Sequence, residues 1–142
     1  MAAAIELVRE VVPAFELLRV SGMSPILAGM IGLRGDVLPV IDTSALIGEE
    51  TLQLDARMQF LIVRTGFRSF ALLVDTVEDL VEIDLRRLVH PMPGARDHFI
   101  QGVATLGEEM VLVLDLEACG NLDAVTRLDD LQPSLQGEGA MS

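Results

Sequence analysis

Three aspartates close apolar runs in this 142-residue sequence: Asp42 after VLPVI, Asp75 after FALLV and Asp115 after MVLVL. Carboxylates at strand ends could coordinate a divalent metal or accept a phosphoryl group. A phosphoacceptor site wants a lysine to meet the developing charge, yet all ten basic residues are arginines and the chain has no lysine. The plainer role is structural. Each aspartate would cap the turn or helix that follows by accepting backbone N–H hydrogen bonds, and the recurrence at Asp42 and Asp115 favours a shared job of that kind.

The other reactive residues fit no catalytic pattern. His90 and His98 stand eight apart in a Pro/Gly-rich stretch, with neither a cysteine neighbour nor the i, i+4 spacing of helical metal ligands. Gly29, Gly32 and Gly35 are spaced GxxGxxG within strand-like sequence, which is neither a dinucleotide fingerprint nor a phosphate loop. No serine occupies a nucleophile-elbow context. Cys119, the single cysteine, sits between Ala118 and Gly120 and reads as a small buried hydrophobe. Absence of lysine also removes Schiff-base chemistry. The expectation is a binding protein without catalysis, cofactor or metal.

Composition bounds the binding partners. A net charge of −12 argues against nucleic acid, which demands a basic patch. No apolar run approaches the roughly 18 residues of a membrane span, and the start, MAAAIELVRE, lacks signal-peptide features. With one cysteine and no disulfide framework, a cytoplasmic domain is expected.

The elements that would position these residues are short and β-rich. Strands are expected over 6–12, 15–20, 28–34, 36–42, 57–65, 68–75, 78–83, 99–106 and 108–115, paired as hairpins around Gly35, Gly66-Phe67 and Gly107. Thr43 and Ser44 would open a short helical turn ending near Gly48, and residues 48–57 form a polar linker. Residues 90–97 make a loop. Residues 116–131 have a helical pattern weakened by Gly120, leaving 121–142 as helix and frayed tail behind a domain over 1–120.

The chain also repeats itself. GMIGLRGDVLPVIDTSAL (29–46) aligns without gaps on GVATLGEEMVLVLDLEAC (102–119), placing Gly29 on Gly102, Leu33 on Leu106, Val40 on Val113 and Asp42 on Asp115. The same offset sets Glu6-Leu7-Val8 on Asp79-Leu80-Val81. A counterpart of the 57–75 hairpin would fall before Met1, so the chain is read as beginning inside its first unit. Strands 6–12 and 36–42 are then expected to lack neighbours, leaving the isolated chain prone to self-association. Arg34 aligns with Gly107, so turn geometry does not demand an arginine there.

These segments resemble a known family. GMIGLRGDVLPVIDTSALIG is similar to the signature of the CheW-like domain, in which an apolar pair, Asn-Leu-Arg-Gly and an extended strand ending in Asp follow a glycine. FLIVRTGFRSFALLVDTVEDLVEID and FIQGVATLGEEMVLVLDLEAC resemble the family's later hairpins, in the right order, so that the likeness covers about residues 5–120. Gly32 stands where the family usually has Asn, and the family's opening hairpin is missing. The resemblance implies an all-β fold of two intertwined SH3-like five-stranded β-barrels sharing a core, the first lacking its N-terminal hairpin, with a short C-terminal helix. It also implies a non-enzymatic adaptor of bacterial chemosensory arrays, coupling the cytoplasmic tip of a methyl-accepting chemoreceptor to the regulatory domain of a CheA-type histidine kinase. By position, Val8, Gly29 and Arg34 match partner-binding residues. Each has a structural alternative: Val8 as core, Gly29 as a point of close backbone approach, Arg34 as one half of an internal ion pair. Two further readings stay open, a small-ligand-binding β-barrel and an enzyme remnant using the strand-end aspartates with a metal.

Overall fold

The computed structural model describes residues 1–19, 22–46, 56–66, 68–78, 81–89, 99–121 and 125. The strands are β1 (Ala2–Ala3), β2 (Val8–Pro13), β3 (Leu27–Leu33), β4 (Asp36–Asp42), β5 (Gln59–Thr65), β6 (Arg68–Val74), β7 (Ile100–Leu106) and β8 (Glu109–Leu114). Helix α1 (Thr43–Leu46) follows β4 and α2 (Leu116–Gly120) follows β8, while 3-10 turns cover Ile5–Leu7 and Leu85–Arg87. Five strands form one sheet in the order β2-β5-β6-β4-β3, and three form another in the order β1-β8-β7. The fold is all-β. Among the described residues no helix is long and apolar enough to cross a membrane.

Alternation explains the layers. Along β5 and β6 the side chains of Phe60, Ile62, Ala71 and Leu73 enter one cluster with Ile31, Leu38 and Val40, inside the five-stranded sheet. Those of Val63, Phe70 and Leu72 enter a second cluster with Ile41, Leu114, Leu116 and Cys119, which draws on both sheets and both helices. Strand stretches buried on both faces must be apolar, as Leu38–Ile41 of β4 and Phe70–Leu73 of β6 are.

After β2 the chain crosses to the far edge of its sheet. Ala14 N–H donates to the Met58 carbonyl at 3.0 Å, and Leu18 and Met30 exchange two backbone bonds of 2.8 Å, closing the five strands into a barrel. Residues 15–19 therefore contribute one bridge and not the strand expected over 15–20, because they pass between two neighbours without running along either. The same bridge explains Pro39. Met30 directs its backbone groups at Leu18, so its opposite residue Pro39 has no bond to make with β3, and the parallel ladder to β6 covers only Val40–Asp42.

The internal repeat is carried into the register. Leu27↔Ile41, Gly29↔Val40 and Leu33↔Asp36 recur as Ile100↔Leu114, Gly102↔Val113 and Leu106↔Glu109, with a bulge at the same place in both hairpins. Asp42 N–H donates to Ile26 at 2.8 Å, and Asp115 N–H to Phe99 at 2.7 Å. Leu33 and Leu106 are equivalent, although each is only half-buried.

Three expectations need correction. The strand read from 6–12 opens with a 3-10 turn and occupies Val8–Pro13 instead. Glu78 and Val81–Ile83 form no strand; Asp79 and Leu80 lie outside the described residues. An alternating pattern makes a strand only where a neighbour offers a ladder, and no described strand lies alongside 81–83. Finally, β2 and β4 are not short of neighbours, since β5 and β6 pair with them. The halves exchange strands, so the second half's hairpin completes the first half's barrel. Among the described residues the sheet built on β7 and β8 has three strands, with β1 as its third. The 90–97 loop, both histidines and nearly all of 121–142 lie outside the described residues.

Candidate partner-binding surface

Arg34 and Gly35 are the two central residues of the β3–β4 turn, with φ of +50° and +86°. Positive φ at both positions is the type I′ geometry that matches strand twist in a two-residue hairpin. The equivalent β7–β8 turn begins with Gly107 at φ +63°. Arg34 is the only non-glycine residue with positive φ among the described residues.

What holds Arg34 is Glu10, which the sequence reading did not single out. The guanidinium meets the carboxylate through two parallel bonds, Nη1 to Oε1 and Nη2 to Oε2, the latter 2.9 Å long. Glu10 lies on β2 and Arg34 at the tip of β3, the two edge strands of the five-stranded sheet, so the pair spans the barrel closure. The signal was present in β2. Val8, Glu10 and Val12 share its half-buried face, and an acid in that register calls for a partner. Hydrogen bonding to Arg34 holds the Glu10 carboxyl below its ordinary value and raises the guanidinium. Arg34 nevertheless leaves 71% of its side chain exposed, against 26% for Glu10. The arginine is both internally paired and open to solvent.

Of the other expected residues, Val8 is half-buried, opposite Val63 and packed against the shared core, two positions from Glu10. Gly29 is buried. A Cβ there would fall 2.8 Å from the Leu18 carbonyl oxygen and 3.2 Å from Leu17 Cβ, so glycine is required for the crossing segment to approach. Gly102 repeats the device, with Leu88 Cβ and the Val89 oxygen each 3.0 Å from its missing Cβ. The structure thus pairs Arg34 with Glu10, packs Val8 against the shared core and sets Gly29 beneath Leu18. Leu18, 64% exposed, and Val37, exposed beside the Arg34 turn, are apolar surface residues that the sequence reading also passed over.

The strand-end aspartates divide. Asp42 Oδ1 accepts from Ser44 N–H at 2.9 Å and Ala45 N–H at 3.3 Å, and Asp115 Oδ1 from Ala118 N–H at 3.1 Å, so both cap helices. Asp75 differs: it lies in an exposed bend, and the following Val77 N–H is taken by Gln59 Oε1 at 2.7 Å. The buried Cys119 thiol is pushed up to about 12, first by burial and then by the charge of Asp115. A thiol so held is no nucleophile at neutral pH.

Comparison with known proteins places this geometry. The family model for the CheW-like domain matches residues 1–123. The chain belongs to the CheW-like domain family. It is 30% identical over 112 residues to the chemotaxis protein CheW of Rhizobium meliloti, a match covering 79% of this chain and 66% of that protein. It is 30% identical over 94 residues to a probable chemotaxis protein CheW of Rhizobium etli, covering 63% of this chain and 60% of its relative. The chain thus spans somewhat less than two thirds of the length of these two CheW relatives. Among solved structures, the scaffolding protein TtCheW from Thermoanaerobacter tengcongensis superposes with a TM-score of 0.71 at 26% identity, covering 80% of this chain and 75% of TtCheW.

Proposed function

We propose that this CheW-like chain is a cytoplasmic, non-enzymatic adaptor that couples the tip of a methyl-accepting chemoreceptor to the regulatory domain of a CheA-type histidine kinase. Membership of the family and likeness to a scaffolding protein support the adaptor role. One observation carries the choice of surface: Arg34 is kept, exposed, at a left-handed turn position that glycine fills in the repeat. Glu10 fixes the guanidinium in one orientation, so less side-chain entropy is lost on docking. Exposed Val37 beside it adds the apolar contact typical of an arginine-centred hot spot. Val8 and Gly29 serve the same surface from beneath, Val8 by seating β2 and Gly29 by admitting the Leu18 segment.

A small-ligand barrel is the weaker alternative, because Phe60, Ile62, Leu38, Val40 and Leu73 fill the five-stranded barrel. Titration calorimetry against a receptor-tip fragment and a kinase regulatory domain tests the proposal. Arg34→Ala should keep its circular dichroism spectrum and lose about tenfold or more in affinity for one of them, as a hot-spot arginine does. Unchanged affinity for both would remove Arg34 from the interface.

A further inference from the structure

The charge on Arg34 is already answered from within the chain. Glu10 engages Nη1 and Nη2 with its two carboxylate oxygens. A guanidinium carries five N–H donors, so this pairing leaves Nε–H and one N–H on each Nη. With 71% of the side chain exposed, those donors are what a docking surface meets. The neighbours leave room for it. Gly32 before Arg34 and Gly35 after it have nothing within 4 Å of their missing Cβ atoms. Gly32 also turns its backbone N–H and carbonyl away from β4, as Met30 does two residues earlier toward Leu18. The surrounding charges cancel. On β2, β4 and the turn before β4, exposed Arg9 and Arg34 stand against Glu10 and exposed Asp36, while buried Asp42 caps α1. Over the whole chain the balance is −12. A carboxylate brought to Arg34 would give up its hydration with no surplus positive charge to offset the loss.

We propose that the partner meets Arg34 with uncharged carbonyl oxygens, from main chain or side-chain amides, and not with a carboxylate. The inference rests on the adaptor reading above and names the chemistry of its contact. A carbonyl oxygen accepts from the outward N–H groups without carrying a charge out of water. Gly32 offers a main-chain segment the reciprocal donor and acceptor beside them. Exposed Val37 keeps water from these bonds once the surfaces meet. Glu10 thus sets specificity as well as orientation: it neutralises Arg34 toward anions and leaves its remaining donors aimed outward.

Calorimetry with whichever fragment Arg34→Ala weakens, receptor tip or kinase regulatory domain, tests this chemistry. The fold-loss caused by Arg34→Ala should agree within about twofold between about 50 and about 500 mM sodium chloride, because salt does not screen a neutral hydrogen bond. A loss that shrinks further at high salt shows an ion pair and overturns the proposal. Glu10→Gln keeps an oxygen for Arg34 but leaves the guanidinium charge unmet, and should bind the same fragment no tighter. Tighter binding would mean that a partner carboxylate takes up the freed charge, and also overturns the proposal. If Glu10→Gln fails to fold, the salt comparison decides alone. An Arg34→Ala chain that binds both fragments normally removes the surface itself, and this contact with it. That failure is distinct from a salt-sensitive loss, which keeps the surface and changes its chemistry.

Discussion

A left-handed backbone costs an L-residue about 1–2 kcal/mol relative to the right-handed alternatives, and glycine escapes that cost. Arg34 bears it at φ +50°, while its equivalent in the repeat is Gly107. Its ion pair with Glu10 is exposed, and exposed pairs stabilise little. Arg34→Gly should therefore leave the melting temperature unchanged or raise it slightly, by circular dichroism. A large fall would show that the pair holds the barrel shut. The pair can be read directly as well. Hydrogen bonding to Arg34 depresses the Glu10 carboxyl from its ordinary 4.5, so whatever stability the pair contributes is present above that value and fades as pH falls through the lowered one. Carbon-detected NMR titration should find Glu10 titrating below 4.5 in the native chain and moving up in Arg34→Gly.

At the scale of elements, the crossing segment and the strand it crosses set a tight tolerance. A Cβ at Gly29 would lie 2.8 Å from a backbone oxygen, which cannot rotate away as a side-chain end can. Gly29→Ala must part Leu18 from Met30 or bend β3, and should cost about 1–3 kcal/mol in denaturant unfolding. Gly32, three residues on in the same strand, has nothing within 4 Å of its missing Cβ and no positive φ. Gly32→Ala should be neutral or stabilise by about 0.5 kcal/mol. Equal effects at the two sites would show that strand propensity, and not the crossing, sets the requirement. Helix α2 is tied down by the same means: a Cβ at Gly120 would meet Thr65 Oγ1 at 2.8 Å, and Arg68 Nη1 donates to the Gly120 carbonyl at 2.6 Å.

Across the whole molecule, one core joins both sheets. Phe70, Leu72, Leu114, Leu116 and Cys119 belong to the same buried cluster, so neither sheet can open without exposing the other's inner face. Unfolding should be a single cooperative transition. Cys119 reports it, since burial pushes its thiol up to about 12. Reaction with a disulfide reagent should be negligible in the native chain and should rise with denaturant together with the loss of circular dichroism. Thiol reactivity that precedes the spectroscopic transition would indicate an α2 that detaches on its own.

The sequence by itself determined what is local and periodic. Two-residue turns at Gly35, Gly66 and Gly107 with flanking alternation specify the hairpins, and the ungapped repeat anticipated a shared register that the ladders reproduce pair by pair. It also singled out Arg34, because a gap-free alignment puts glycine in the same column. Only the tertiary structure decided which half completes which barrel. Strand alternation records which face of a strand is buried but not which neighbour buries it, so the hairpin of the second half was free to pair with β2 and β4. For the same reason Glu10 was invisible as a partner of Arg34. The two lie 24 residues apart on opposite edges of the sheet, and they meet only because five twisted strands close on themselves.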